Sequence, residues 1–128
     1  MTILIKNTIR YDDQIEKIKE EYSSQFQEKG RYYYLSYQNT EEEKVVIKFN
    51  TEEMTISRFS QPQSIMKFKK NKQALIAIPT PVGIQQFITD TSTFELNERD
   101  QKVIVTYKLL QASSQLEFAQ YQLEIEWK

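Results

Sequence analysis

The sequence predicts an all-β protein, a barrel or sandwich of antiparallel strands joined as a meander. Three observations carry this. The C-terminal segment alternates strictly, with Ala119, Tyr121, Leu123, Ile125 and Trp127 on one face and Gln120, Gln122, Glu124, Glu126 and Lys128 on the other. Period two with one apolar and one wet face marks a strand packed on one side. Similar runs recur along the chain, separated by short polar turns. The length, 128 residues, fits one domain (residues 1–128) with a core of its own.

Thr2 to Arg10 supplies the first strand, with Ile3, Ile5 and Ile9 on one face. The next segment, residues 13–28, carries Ile15, Ile18, Tyr22 and Phe26 at helical spacing, and Asp12 or Asp13 is placed to cap it. Its local pattern therefore favours a helix. A strand there puts Glu20 and Ser24 on the same face as Ile18, Tyr22 and Phe26, a poorer stripe. Arg31–Tyr37, Lys44–Phe49, Glu53–Phe59 and Ser64–Lys69 each read as strands, with Asn39–Glu43 as a polar turn. Gln73–Ile78 ends at Pro79-Thr80-Pro81, and prolines so close point to an edge or corner. Ile84–Phe94 is extended, with Thr89, Thr91 and Thr93 expected on one face. Asn97–Asp100 turns the chain into a strand through Val103, Val105, Tyr107 and Leu109, and Ala112–Gln115 turns it again. Leu116 and Phe118 have the opposite parity to the last strand, which predicts a β-bulge near residue 118. Expected inward residues include Ile3, Ile5, Ile47, Met54, Ile56, Tyr121, Leu123, Ile125 and Trp127.

Composition excludes much chemistry. The chain has neither Cys nor His, so disulfides, thiolate metal sites, cysteine nucleophiles and every Ser-His-Asp arrangement are ruled out. Two glycines cannot build a Gly-rich phosphate loop. We therefore expect no enzyme, no cofactor and no metal. Net charge is −1, but its distribution is uneven. Residues 54–89 hold Arg58, Lys67, Lys69, Lys70 and Lys72 and no acid. No stretch approaches the roughly 20 apolar residues of a spanning helix, so the expectation is a cytoplasmic protein without a membrane partner.

The order of short motifs is informative. Tyr34-Leu35-Ser36-Tyr37 is followed by an acidic turn and Val45-Val46-Ile47-Lys48. Met54-Thr55-Ile56-Ser57-Arg58, Met66-Lys67-Phe68 and Thr80-Pro81-Val82-Gly83 come next, then Val103-Ile104-Val105-Thr106-Tyr107. This order resembles the YwiB-like family of uncharacterised bacterial proteins over nearly the whole chain. The resemblance implies a calycin-like, lipocalin-like antiparallel barrel of about eight to ten strands. It also implies that residues 14–27 form a long bent strand rather than a helix. It brings no activity with it.

Four residues form the expected ligand-binding set: Arg58, Tyr34, Tyr37 and Thr91. Arg58 shares parity with Met54 and Ile56, and matches a position where the family tends to carry Arg. A guanidinium on the inner face would bind a carboxylate or phosphate through its planar fork. The alternatives are a head in water, or an internal partner such as Asp90, Glu95 or another acid. Tyr32, Tyr33, Tyr34 and Tyr37 crowd one strand. Alternation puts Tyr32 and Tyr34 on one face and Tyr33 and Tyr37 on the other, lining a path or merely packing across strands. Lys67, Phe68, Lys69, Lys70 and Lys72 mix cations with one aromatic, too thin a platform for nucleic acid; lysines also protect edge strands. Glu41-Glu42-Glu43 has no defined loop to converge on a metal and reads as a solvated turn. The partner expected is a small, partly apolar anionic molecule, with the chain a monomer or weak homodimer. The competing expectation is an interaction module acting through its outer surface.

Overall fold

The computed structural model describes residues 1–128 and contains ten strands and no helix. They are β1 (Thr2–Tyr11), β2 (Gln14–Lys29), β3 (Tyr32–Gln38), β4 (Lys44–Phe49) and β5 (Glu53–Phe59). Then follow β6 (Ser64–Lys69), β7 (Gln73–Thr80), β8 (Gly83–Asn97), β9 (Lys102–Gln111) and β10 (Glu117–Trp127). The sheet order is β6-β5-β4-β3-β2-β1-β10-β9-β8-β7, all antiparallel. The sheet curls into a nearly closed barrel whose seam lies between β6 and β7. The seam is stitched from β8 instead: Thr89 Oγ1 donates to Lys67 O on β6 (2.5 Å).

β2 is a strand throughout, as the family resemblance implies and against its own helical periodicity. It joins two neighbours in succession: residues 14–23 pair with β1, and residues 24–29 pair with β3. All 16 of its residues thus have a partner on a neighbouring strand. That continuous pairing outweighs a propensity difference of a few tenths of a kcal/mol per residue. Gly30 closes its turn at φ +63°, a left-handed conformation that costs glycine little.

The inward stripe is the expected one. Ile3, Ile47, Met54, Leu123, Ile125 and Trp127 are buried, and Ile5, Ile56 and Tyr121 pack against them. Trp127 is 2% exposed, stacked on Phe26 (5.9 Å between centroids) and edge-on to Phe49 (5.3 Å). The β10 register breaks between Glu117 and Ala119, the bulge foreshadowed by parity. A second bulge, between Thr91 and Thr93 on β8, corrects one expectation. Thr89 and Thr91 point inward opposite Leu109 and Tyr107, but Thr93 pairs with Thr106 on the outer face. Pro79 does sit on an edge strand, paired with Ile84 and free on its other side, and Pro81 lies in the turn that follows.

In a meander the hairpin turns alternate between the two barrel ends. One end holds the turns after β2, β4, β6 and β8 together with both chain termini, and is plugged by Phe26, Tyr33, Phe49 and Trp127. The other end holds the turns after β1, β3, β5, β7 and β9. There the interior stays open.

Candidate functional site at the open barrel end

A cavity of about 340 Å³ opens at this second end. Its floor is apolar, from Val45, Ile56 and Met66; its walls are polar, from Asn7, Glu20, Tyr37, Asn39, Arg58 and Ser64. Six consecutive strands, β1 to β6, and the β3–β4 turn supply these residues, so the site is built by the curl of the sheet.

Arg58 arrives by register. It pairs with Val45 on one side and Ser64 on the other, continuing the inward stripe Met54, Ile56 to the rim. Its side chain is 52% exposed, and its Nε lies 3.8 Å from Glu43 Oε1. That is an ion pair without a hydrogen bond, which leaves the guanidinium fork free. Glu43, rather than Asp90 or Glu95, is the internal partner. Its position is fixed by Asn39: Asn39 Oδ1 accepts from the amides of Glu41 (3.0 Å) and Glu43 (2.9 Å), and Asn39 Nδ2 donates to Glu43 Oε1 (3.1 Å).

Tyr37 stands opposite. Its ring stacks on Tyr22 at 4.8 Å, and Tyr22 donates its hydroxyl to the Glu20 carboxylate. Burial pushes the Tyr37 hydroxyl up; Glu20 and Tyr22 add to the rise and Arg58 opposes it. The phenol therefore stays protonated and available as a donor. Deeper in the barrel Tyr107 stacks on Tyr121 (4.8 Å) and packs on Phe68 (4.6 Å), and burial raises the hydroxyls of both tyrosines.

Of the four expected residues, the structure brings together Arg58 and Tyr37. Tyr34 is corrected: it pairs with Lys48 and Gln27 and shares the outer face with Tyr32, whose ring carries the Lys48 ammonium at 4.2 Å and whose hydroxyl donates to Glu53 (2.5 Å). It lines no path to the interior. Thr91 is inward and 1% exposed but is not part of the cavity wall; its Oγ1 is buried with no hydrogen-bond partner.

Four polar wall residues, Asn7, Glu20, Asn39 and Ser64, lie outside the expected set, and the first two leave a signal. Asn7 interrupts the stripe Ile3, Ile5, Ile9, and its Oδ1 is buried without a partner. Glu20 is the misfit that makes the inner face of β2 look poor. Glu20 is exposed, whereas the buried oxygen of Asn7 is costly unless something satisfies it. No three acidic side chains are grouped so as to hold a metal ion.

Comparison with known proteins agrees with this architecture. No curated protein matches the chain. The crystal structure of ywiB protein from Bacillus subtilis superposes with a TM-score of 0.77 at 17% identity, covering 99% of this chain and 90% of that one. At that identity the likeness speaks for the fold alone. A family described as a domain of unknown function (DUF1934) matches residues 3–125, nearly the whole chain. The chain therefore belongs to the DUF1934 family.

Proposed function

We propose that this protein is a non-catalytic binding barrel that takes a small, partly apolar anion at its open end. One observation carries the reading: the cavity joins an apolar floor to a half-exposed guanidinium without a hydrogen-bonded partner and to a buried, unpaired amide oxygen of Asn7. An anionic head would occupy the free fork of Arg58, with Tyr37 as a further donor. An alkyl or aryl portion would cover Val45, Ile56 and Met66, and a donor group on the ligand would answer Asn7. The volume lies at the small end of the range for ligand pockets. Below that floor the barrel is filled: Leu35, Ile47, Phe49, Met54 and Phe68 are each at most 1% exposed. The ligand therefore belongs at the mouth.

Titration of the protein with octanoate and with octyl phosphate, followed by backbone amide shifts, tests this. Saturable shifts confined to Asn7, Tyr37, Ile56, Arg58 and Met66 are expected, weakened at least tenfold in Arg58→Met. Shifts absent from both proteins, or equal in both, overturn the reading.

A second reading has its own observation. The open end is rimmed by exposed apolar side chains: Ile15, Phe59, Val82, Ile84, Leu116 and Phe118 are 50–83% exposed. Exposed apolar groups collected at one end suit an interaction module that docks by this rim.

A further inference from the structure

The barrel is not hydrogen-bonded shut. β6 and β7 are the two edges of the sheet, and each pairs only with its inner neighbour, β5 or β8. Near the β6–β7 turn the gap is bridged by the hydrogen bond from Thr89 Oγ1 on β8 to Lys67 O on β6. Beyond Lys67, toward the open end, the edges of Gln63–Met66 and Leu75–Pro79 face a groove of about 410 Å³. Its lining is largely apolar and outward-facing, with Ile65 on one bank and Leu75, Ala77, Pro79 and Ile84 on the other. Leu75 and Ile84 are 58% and 73% exposed. A row of unpaired peptide groups beside an apolar strip is a template for another strand.

The one charged side chain that lines it is Lys67. It sits at the sealed end; Lys69 ends the same strand opposite Glu53, and Lys70 and Lys72 follow in the turn. No acid occurs between residues 54 and 89; the first, Asp90, lies opposite Gln73, beyond the sealed part. Edge lysines serve to repel further strands of like charge, yet they attract a strand that carries the opposite one.

We infer that the β6–β7 seam is a peptide-binding groove that accepts a short, extended, apolar segment of another protein bearing a carboxylate. The segment adds by main-chain hydrogen bonds to the free edge at Gln63–Met66. Its apolar side chains cover Ile65, Leu75 and Ile84, and its carboxylate meets Lys67. The segment lies against outward side chains of β6, β7 and β8, whereas the mouth cavity uses the inward Ser64 and Met66, so the groove stands whether or not a small anion binds at the mouth.

Selection of a phage-displayed library of random dodecapeptides on the intact protein tests the inference. Enriched peptides should be rich in β-branched residues with an acidic residue or a free C-terminal carboxylate. Synthesising each winner as the free acid and as the C-terminal amide tells those two sources apart. Bound peptide should slow hydrogen exchange at least tenfold at alternate amides of 63–66 and 75–78. N-methylation of alternate peptide amides should abolish binding. Lys67→Glu, at an exposed position, should weaken binding at least tenfold, whereas Lys17→Glu on the distant β2 should leave it unchanged. The inference fails if no peptide is enriched, if winners protect amides elsewhere, or if Lys67→Glu binds as well as the parent. It also fails if single-stranded oligothymidine protects these amides more strongly than any selected peptide, which would make the lysines a nucleic-acid contact.

Discussion

The two ends of the barrel are built from the same alternating strands and finished in opposite ways. At the closed end the interior is apolar: Trp127, Phe49, Phe26 and Tyr33 interlock, and the turns, Gly30-Arg31, Thr51-Glu52, Lys70–Lys72 and Glu98–Gln101, are polar. Among those turns and the two termini, Met1 is the one large exposed apolar residue. At the open end the arrangement inverts. Polar side chains, Asn7, Glu20, Tyr37 and Arg58, occupy inward positions, and apolar ones, Ile15, Phe59, Val82, Ile84, Leu116 and Phe118, decorate the hairpin tips. The closed end follows the ordinary rule of apolar inside and polar outside. The open end departs from it on both counts: Asn7 buries an unpaired oxygen at a cost in desolvation, and the hairpin tips expose apolar area. Such a local departure in an otherwise consistent sequence marks the region under functional constraint.

The sharpest way to break this comparison is to remove the plug. Trp127 contacts two aromatic rings at the closed end, and Trp127→Ala should cost about 3–5 kcal/mol in chemical denaturation. The strand around it is held to its end, by Trp127 N to Gln101 O (3.1 Å) and by the reciprocal pair between Thr2 and Lys128 (2.8 and 2.9 Å). A loss below about 1 kcal/mol would show that the closed end does not carry the stability assigned to it.

Alkaline pH probes the boundary between the ends. Tyr37, Tyr107 and Tyr121 have hydroxyls raised by burial, so the folded state keeps protons that the unfolded state releases. Their contribution is complete below the ordinary tyrosine value of about 10 and is lost as pH rises above it. Melting temperature should hold steady to about pH 9 and fall beyond it. The fall should be shallower in Tyr107→Phe, whose ring keeps its stack on Tyr121. An unchanged slope in that variant would place the alkaline sensitivity elsewhere.

How much of this is legible in the sequence follows the same division. The closed end is legible almost completely, because parity alone locates an apolar stripe: Ile3, Ile47, Met54, Ile125 and Trp127 all lie where alternation puts them. Arg58 is legible for the same reason. β2 is not, because its helical spacing is a local signal, whereas what makes it a strand is pairing along its whole length with β1 and then β3. Thr93 is misplaced by a bulge that no residue type announces. Composition draws Tyr34 into the site, while its parity with Tyr32 puts it outside. Asn7 and Glu20 are visible as breaks in a stripe. A break in a pattern reads as noise until the partner strands show that the position faces inward.

Asn7→Leu tests whether the open end sacrifices stability for its polarity. The substitution fills the polar gap between Ile5 and Ile9 with an apolar side chain and removes a buried, unpaired oxygen. Removing such a group while filling its space should stabilise by about 1 kcal/mol. A ligand that offers an N–H or O–H donor to this oxygen should bind the variant more weakly. A destabilised variant would mean that Asn7 is satisfied in solution and that its oxygen is not kept for a ligand.

The smallest expected effect on stability belongs to Glu43→Gln, and it isolates the electrostatics of the mouth. The Arg58–Glu43 contact is 3.8 Å long with Arg58 52% exposed, so neutralising Glu43 should change stability by no more than about 0.5 kcal/mol. Glutamine keeps the length of the side chain and an oxygen to accept from Asn39 Nδ2, so the β3–β4 turn should survive. The effect on binding has the opposite sense. Glu43 competes with any anionic ligand for the guanidinium, and with Glu20 it sets a negative field at the rim. Removing one of these charges should tighten octanoate by roughly threefold or more at low salt, with the gain shrinking as ionic strength rises. Weaker binding would instead show that Glu43 holds Arg58 in its receptive pose. Unchanged binding would show that the anion does not reach the guanidinium, and would move the weight of the open end to its apolar rim.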